Sequence, residues 1–376
     1  MSSGRTRRRN LKFAIIGYGS GFNMGDLHIE SIVLNEGFEL AAICDVSRER
    51  LAIAREKYPK VKTYRSVDSL LKRQKVDLAV IITPHNIHAA IAMKCLVAGV
   101  HVVTEKPMAI STEEVKAMID AAQSRKLILS TFHNRRWDVD FLKLFGLIES
   151  GVIGRVFRLE TGFTLFDKQR DWWRSDREIS GGNIFDWGAH FTDWVLLLIA
   201  QPVRTVSGFM VKNPSWSDYM NEDHSEFTLT FADGCLATLV FSNMSMISRP
   251  QWTVRGEKGA IVSCDDRFNV SAVIDGRRWT TTVSWKGVES DWHAYYRNIC
   301  AHIRDGEPLI VTAESAARVI AIIDSSYRSA RQGGKPVKPA YASEAALDVG
   351  RGSSLSEFSS PTRPPQSPIF AATSVR

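Results

Sequence analysis

LKFAIIGYGSGFNMGDLHIE, residues 11–30, runs an apolar segment straight into a glycine-studded turn and out into a helical pattern. A glycine turn between a strand and a helix lets backbone N–H groups approach a diphosphate at the positive end of the helix. The usual spacing is G-x-G-x-x-G. Here Gly17-Tyr18-Gly19 reaches Gly25 only after three extra residues, and aligning Asn23-Met24-Gly25 with the final x-x-G makes Ser20-Gly21-Phe22 an insertion. Alone, such a turn serves any tight connection. The next apolar run, FELAAIC at 38–44, ends at Asp45, about 20 residues past Gly25, where an acid would accept from ribose hydroxyls. An acid there opposes a 2′-phosphate and favours NAD, while Arg48 could bind that phosphate and keeps NADP open. Strand, turn, helix, strand and acid together point to dinucleotide binding.

The same rhythm continues outward. Strand patterns at 11–16, 38–44, 76–83, 100–105 and 127–131 alternate with helical patterns at 24–36, 47–57, 86–98 and 112–124. Continuous Val/Ile runs separated by helices predict a doubly wound parallel sheet covered on both faces. After residue 132 the texture changes: a helix at 135–149, a strand at 154–166, a helix at 183–200, then serial strands with Gly and Asn turns from 204 to 284. Serial strands predict a large, mostly antiparallel open sheet. Helical patterns at 290–305 and 312–331 close the ordered part. The expected units are a basic disordered arm (1–10), a dinucleotide-binding domain (11–133), a second α/β domain (134–340) and a Ser/Pro-rich disordered tail (341–376).

The net charge of +7 hints at nucleic acid until it is located: Arg5, Arg7, Arg8, Arg9 and Lys12 supply five charges, leaving 7 − 5 = +2 for the rest. A solvated terminus is the reading taken, with no nucleic-acid partner. TRRRNLK at 6–12 also approximates a twin-arginine export signal. Cleavage after it would destroy the strand and glycine turn that follow, so export is disfavoured. Apolar runs reach about six residues, far short of the ~20 that span a bilayer, so no membrane association is expected. Five widely separated cysteines without a C-x-x-C pair fit free thiols in a reducing cytoplasm.

Three further motifs make the chain recognisable: Thr83-Pro84, Glu105-Lys106-Pro107, and GGNIFDWGAHFTD at 181–193. The last matches G-G-x-x-x-D-x-G-x-H-x-x-D through Gly181, Gly182, Asp186, Gly188, His190 and Asp193. In this order, and over the span from Phe13 to about Pro336, the sequence resembles the Gfo/Idh/MocA oxidoreductases, relatives of glucose–fructose oxidoreductase and inositol dehydrogenase. The resemblance implies a Rossmann domain, a C-terminal α/β domain that builds homodimers or homotetramers, and a cleft between them for a sugar or polyol. By the same resemblance Lys106, Asp186 and His190 are the catalytic group. The chain departs from the common pattern at the loop insertion, at Asn183 in place of a third glycine, and at Trp187 between Asp186 and Gly188.

Chemistry assigns the roles. His190 suits proton removal, since imidazole titrates near neutrality. Lys106 can stabilise alkoxide charge. Asp186, one turn before His190, can orient the imidazole or bind a second hydroxyl. Each has a plainer reading: a core histidine, a helix cap, a surface lysine. Asp193 fits structural pairing equally well. The residues expected at the cofactor are Gly17, Tyr18, Gly19, Asn23, Met24, Asp45, Arg48, Thr83, Pro84, His88, Glu105 and Lys106. Those expected at the substrate are Lys106, Arg136, Trp172, Trp173, Asn183, Asp186 and His190, with Arg135, Arg174 and Trp137 as further candidates. His85, His88 and His133 lack metal-ligand spacing, so no metal is expected. Two rivals stand beside the dehydrogenase: an NAD-retaining glycoside hydrolase or lyase that oxidises the sugar transiently, and a non-catalytic nucleotide-binding regulator.

Overall fold

The computed structural model describes residues 9–19 and 24–341. The Ser20-Gly21-Phe22 insertion, Asn23, most of the basic arm and nearly all of the tail lie outside the described residues. Arg9, assigned from sequence to the free arm, instead forks onto the Asp77 carboxylate at 2.9 and 2.6 Å.

Six strands form the first sheet: β1 (Leu11–Ile16), β2 (Phe38–Cys44), β3 (Lys62–Tyr64), β4 (Leu78–Ile81), β5 (His101–Thr104) and β6 (Leu129–Thr131). All pairs are parallel, in the order β3-β2-β1-β4-β5-β6. The order reverses between β1 and β4, so a crevice opens at their carboxyl ends. β4 is LAVI, buried at every position, as a strand covered on both faces must be. The sequence reading passed over β3 and the helix Val67–Arg73. Three residues carry no period, and seven give barely two turns, here started by the Ser66 hydroxyl accepting from Ser69 N–H.

The second sheet has eight strands: β7 (Val156–Thr164), β8 (Val203–Val211), β9 (His224–Phe231), β10 (Leu236–Ser242), β11 (Trp252–Gly256), β12 (Gly259–Cys264), β13 (Arg267–Ile274) and β14 (Arg277–Ser284). Their order is β14-β13-β12-β11-β7-β10-β9-β8, antiparallel except for the parallel pair β7–β10. One face, with Leu159, Leu229, Leu239 and Val254, is buried beneath helices. Helix Trp187–Leu198 lies against that face and is packed in turn by helix Ala313–Arg331, so eleven of its twelve residues are buried.

Helix His293–Asp305 follows the second sheet in sequence but does not stay with it. Its Tyr295, Tyr296 and Ile299 pack into the core formed by Phe13, Ile29 and Phe38, against the first helix, Met24–Val33. The chain therefore closes back over the first sheet, a return that the contiguous 134–340 unit did not anticipate.

Candidate active site

The carboxyl ends of β1, β4, β5 and β6 supply one wall. Gly17 leaves β1 with φ +90, and a Cβ there would sit 2.5 Å from the Ile82 carbonyl oxygen, so only glycine fits. Among the described residues a Cβ on Gly19 would meet nothing within 4 Å, which fits a backbone approached by a diphosphate ahead of helix Met24–Val33. These features fit a dinucleotide. The Tyr18 ring turns away from this opening: it is buried beneath Gly25, with the hydroxyl donating to Asp26 at 2.6 Å. Asp45 accepts from Tyr18 N–H at 2.7 Å and Ser47 N–H at 2.8 Å. Arg48 is exposed at the start of helix Arg48–Lys57.

His88 departs from its expected place at the cofactor. It is fully buried, with Nδ1 2.8 Å from the Pro107 carbonyl and Nε2 2.8 Å from the Thr83 carbonyl. It staples the Thr-Pro turn to the Glu-Lys-Pro turn. A neutral ring donates to only one of these carbonyls at a time, and burial lowers its pKa.

The opposite wall comes from the second half of the chain. Gly181 and Gly182 have φ +85 and +128, and a Cβ on Gly182 would lie 1.9 Å from the Tyr327 hydroxyl. That close approach explains the double glycine. Glu222 secures the turn, accepting from Tyr327 Oη at 2.5 Å and Asn183 N–H at 2.9 Å. Asn183 is thus held by its backbone.

Asp186 stands at the start of helix Trp187–Leu198, yet its side chain makes no capping bond. It pairs instead with Lys106 Nζ, which reaches across from the loop after β5. The Arg174 guanidinium lies 3.8 Å from the other carboxylate oxygen. Burial pushes the Asp186 carboxyl up, but Lys106 and Arg174 outweigh it and hold the group well below the usual carboxylate range. One turn on, His190 is 5% exposed, and its Nδ1 has no hydrogen-bond partner among the described residues. Burial, then the charges of Lys106 and Arg135, keep its pKa well below that of free histidine. The ring is neutral at physiological pH.

Aromatic rings frame this pair. Arg174 lies against both Trp172 and Trp173, at 4.9 and 4.8 Å from the ring centres, and Trp173 meets His85 edge-on at 4.8 Å. His85 donates from Nδ1 to the Ser180 carbonyl, and burial pushes its pKa down to about 3. On the other side Arg135 lies over the exposed Trp187 ring at 4.7 Å and over Trp292 at 5.2 Å. Trp187 and Trp292 were not among the expected site residues. Trp187 carried a signal, as the aromatic next to Asp186, whereas nothing local ties residue 292 to residue 135.

Arg136 is corrected outright. It is 2% exposed and grips Asp193 with two bonds of 2.8 and 2.6 Å, while also donating to Ile310 O and Ser315 Oγ. No face of it meets the cleft. The polar stripe of the helix therefore divides: Asp186 and His190 face Lys106, and Asp193 faces inward to Arg136. Trp137 is core, 3% exposed.

Family models match both halves of the chain. Residues 11–133 match the oxidoreductase family's NAD-binding Rossmann fold, and residues 146–338 match its C-terminal alpha/beta domain. The chain belongs to the Gfo/Idh/MocA oxidoreductase family. It is an enzyme class acting on CH–OH groups with a nicotinamide cofactor. Scyllo-inositol 2-dehydrogenase (NADP(+)) of Bacillus subtilis (strain 168) is 25% identical over 356 residues, 88% of this chain and 96% of its own length. Myo-inositol 2-dehydrogenase of Thermotoga maritima is 26% identical over 313 residues, 81% of this chain and 91% of its own. The oxidoreductase YdgJ of Escherichia coli is 34% identical over 195 residues, so the match spans about half of each chain (52% and 55%). Among solved structures, an NAD-binding protein from Listeria innocua superposes with TM-score 0.77 at 26% identity, covering 88% of this chain and 97% of that one.

Proposed function

We propose that the cleft moves hydride between a secondary alcohol of a sugar, sugar derivative or cyclic polyol and a nicotinamide cofactor, NAD in preference to NADP. One observation carries the reading: Lys106 and Asp186, from the two halves of the chain, pair beside a histidine kept neutral. The names of the inositol dehydrogenases that resemble this chain support the substrate class. Bound NAD supplies the hydride acceptor. Gly17, Gly19, Asn23 and Met24 would hold its diphosphate, Asp45 its ribose, and Thr83 and Pro84 the rest, while both Glu105 oxygens are engaged within the protein, by His28 and by the Lys106 N–H.

His190 takes the hydroxyl proton, which requires the neutral imidazole that burial and Lys106 maintain. Its low basicity means that proton transfer gains force only as the alcohol oxygen becomes acidic. Lys106 supplies that acidity by hydrogen-bonding the same oxygen, and Asp186 keeps the ammonium aimed at the cleft. Trp172 and Trp173 with Arg174 form one rim, Trp187 with Arg135 the other. We place the enzyme in the cytoplasm as a homodimer or homotetramer assembled on the uncovered face of the second sheet, which light scattering reads directly.

The test is a panel of inositols and aldoses offered with NAD and with NADP, followed by absorbance of the reduced cofactor. NADH accumulation with a cyclic polyol or aldose is expected. Binding of NAD with no net reduction by any alcohol rejects the reading.

A further inference from the structure

His28, three residues after Gly25 on the first helix, is fully buried and lies outside the cleft, yet both ring nitrogens are committed. Nε2 lies 3.0 Å from Glu105 Oε1, and Nδ1 lies 2.6 Å from the Tyr296 hydroxyl. The ring packs on Phe132 at 4.3 Å between centres. The second oxygen of Glu105 accepts from the backbone N–H of Lys106 at 3.0 Å.

The donors and acceptors fit one arrangement. Burial pushes the Glu105 carboxyl up, but His28 and Lys106 outweigh it, so Glu105 is an acceptor only. His28 must then carry its proton on Nε2. Its Nδ1 accepts from Tyr296, whose phenol burial keeps protonated. Tyr296 donates to His28, His28 to Glu105, and Glu105 receives Lys106 N–H, with no group left unmatched. An apolar side chain at 28 would take the donor from Glu105 Oε1 and the acceptor from the buried Tyr296 phenol.

We propose that His28 is a positioning residue: through Glu105 it fixes the backbone of Lys106 at the cleft, and through Tyr296 it anchors that loop to the helix that follows the second sheet. The proposal rests on the role given above to Lys106. It links three elements far apart in sequence, at residues 28, 105 and 296. A slack Lys106 costs rate rather than cofactor affinity, because misplacing a reacting group by about 1 Å lowers turnover on the order of a hundredfold.

Two amides separate positioning from packing. Gln reaches where Nε2 sits and can still donate to Glu105; Asn reaches only where Nδ1 sits and leaves Glu105 without its donor. Turnover of His28→Gln should stay within about threefold of wild type, while His28→Asn should lose roughly ten- to a hundredfold in kcat at nearly constant KM for NAD. The pH profile adds a second reading. Glu105 is faced by His28, Lys106, His88, His133, Tyr295 and Tyr296. Without the His28 donor its pKa rises, so activity of His28→Asn should fail at a higher pH on acidification, and that of His28→Gln should not. Equal losses in both variants that track melting temperature, or a wild-type kcat and acid limb in His28→Asn, overturn the proposal. Should His28→Asn not fold, Tyr296→Phe substitutes: a severalfold fall in kcat at constant NAD affinity supports the proposal, and an unchanged kcat overturns it. A wild-type enzyme that binds NAD but reduces none of it overturns the proposed reaction instead.

Discussion

Asp186 and Asp193 lie two helical turns apart, each facing a basic side chain from another part of the chain, and they could not be built more differently. Asp193 and Arg136 are 4% and 2% exposed, locked by two parallel bonds and surrounded by further acceptors. Asp186 and Lys106 are 21% and 13% exposed, joined through a single carboxylate oxygen, with the Arg174 guanidinium beyond hydrogen-bond reach of the other. A forked guanidinium suits a closed pair because its geometry is planar and its charge permanent. An ammonium on a flexible stem can turn from a carboxylate to a substrate oxygen without breaking a fork. One pair holds the helix in place; the other, at its mouth, is left able to exchange partners.

The largest effect should come from the open pair. Replacing His190 by Ala should lower turnover by ~10²–10⁴-fold, the range for a general base, while melting temperature and NAD affinity stay near wild type. Lys106→Ala should damage turnover as well, and the double variant should lose less than the product of the single losses, because both act on one oxygen. A His190→Ala protein that fails to fold would return His190 to the core, and one that turns over normally would mean that the site lies elsewhere.

The closed pair should answer in stability. Arg136→Met leaves Asp193 as an uncompensated buried charge and should cost roughly 3–5 kcal/mol in urea unfolding. Combining it with Asp193→Leu should recover much of that loss, since an apolar pair replaces an ion pair. A stable Arg136→Met protein with only a raised KM for the alcohol would restore Arg136 to the substrate and erase the contrast between the two carboxylates.

That contrast was half legible beforehand. The i, i+4, i+7 spacing put Asp186, His190 and Asp193 on one face, and local pattern can say no more than that. Which of them meets the cleft depends on what arrives from elsewhere: Lys106 from the end of β5, Arg136 from the short turn at Asn134–Trp137. The parallel sheet was readable because buried strands between helices leave continuous apolar runs. The Trp187–Arg135–Trp292 stack and the Tyr296–His28–Glu105 chain join residues more than a hundred positions apart, and no window of sequence contains both ends.

The smallest effect concerns the far end of the cleft, where Asp45 resembles the closed pair in being held and the open pair in being reachable. Backbone N–H groups of Tyr18 and Ser47 fix its two oxygens, so the carboxylate cannot swing aside for an incoming 2′-phosphate. Arg48 is exposed nearby and pulls the other way, and a relative of this chain bears NADP(+) in its name. With Asp45 at the end of β2 and Arg48 opening the helix three residues on, the fixed anion should prevail over the exposed cation by about tenfold in affinity, or 1.4 kcal/mol. NAD should therefore raise the melting temperature more than NADP at equal concentration. Asp45→Ser should shrink that gap, and Arg48→Ala should weaken NADP while leaving NAD unchanged. Equal or stronger stabilisation by NADP in the wild-type protein would show that Asp45 is pinned too far from the ribose to exclude a phosphate, and that Arg48 sets the cofactor.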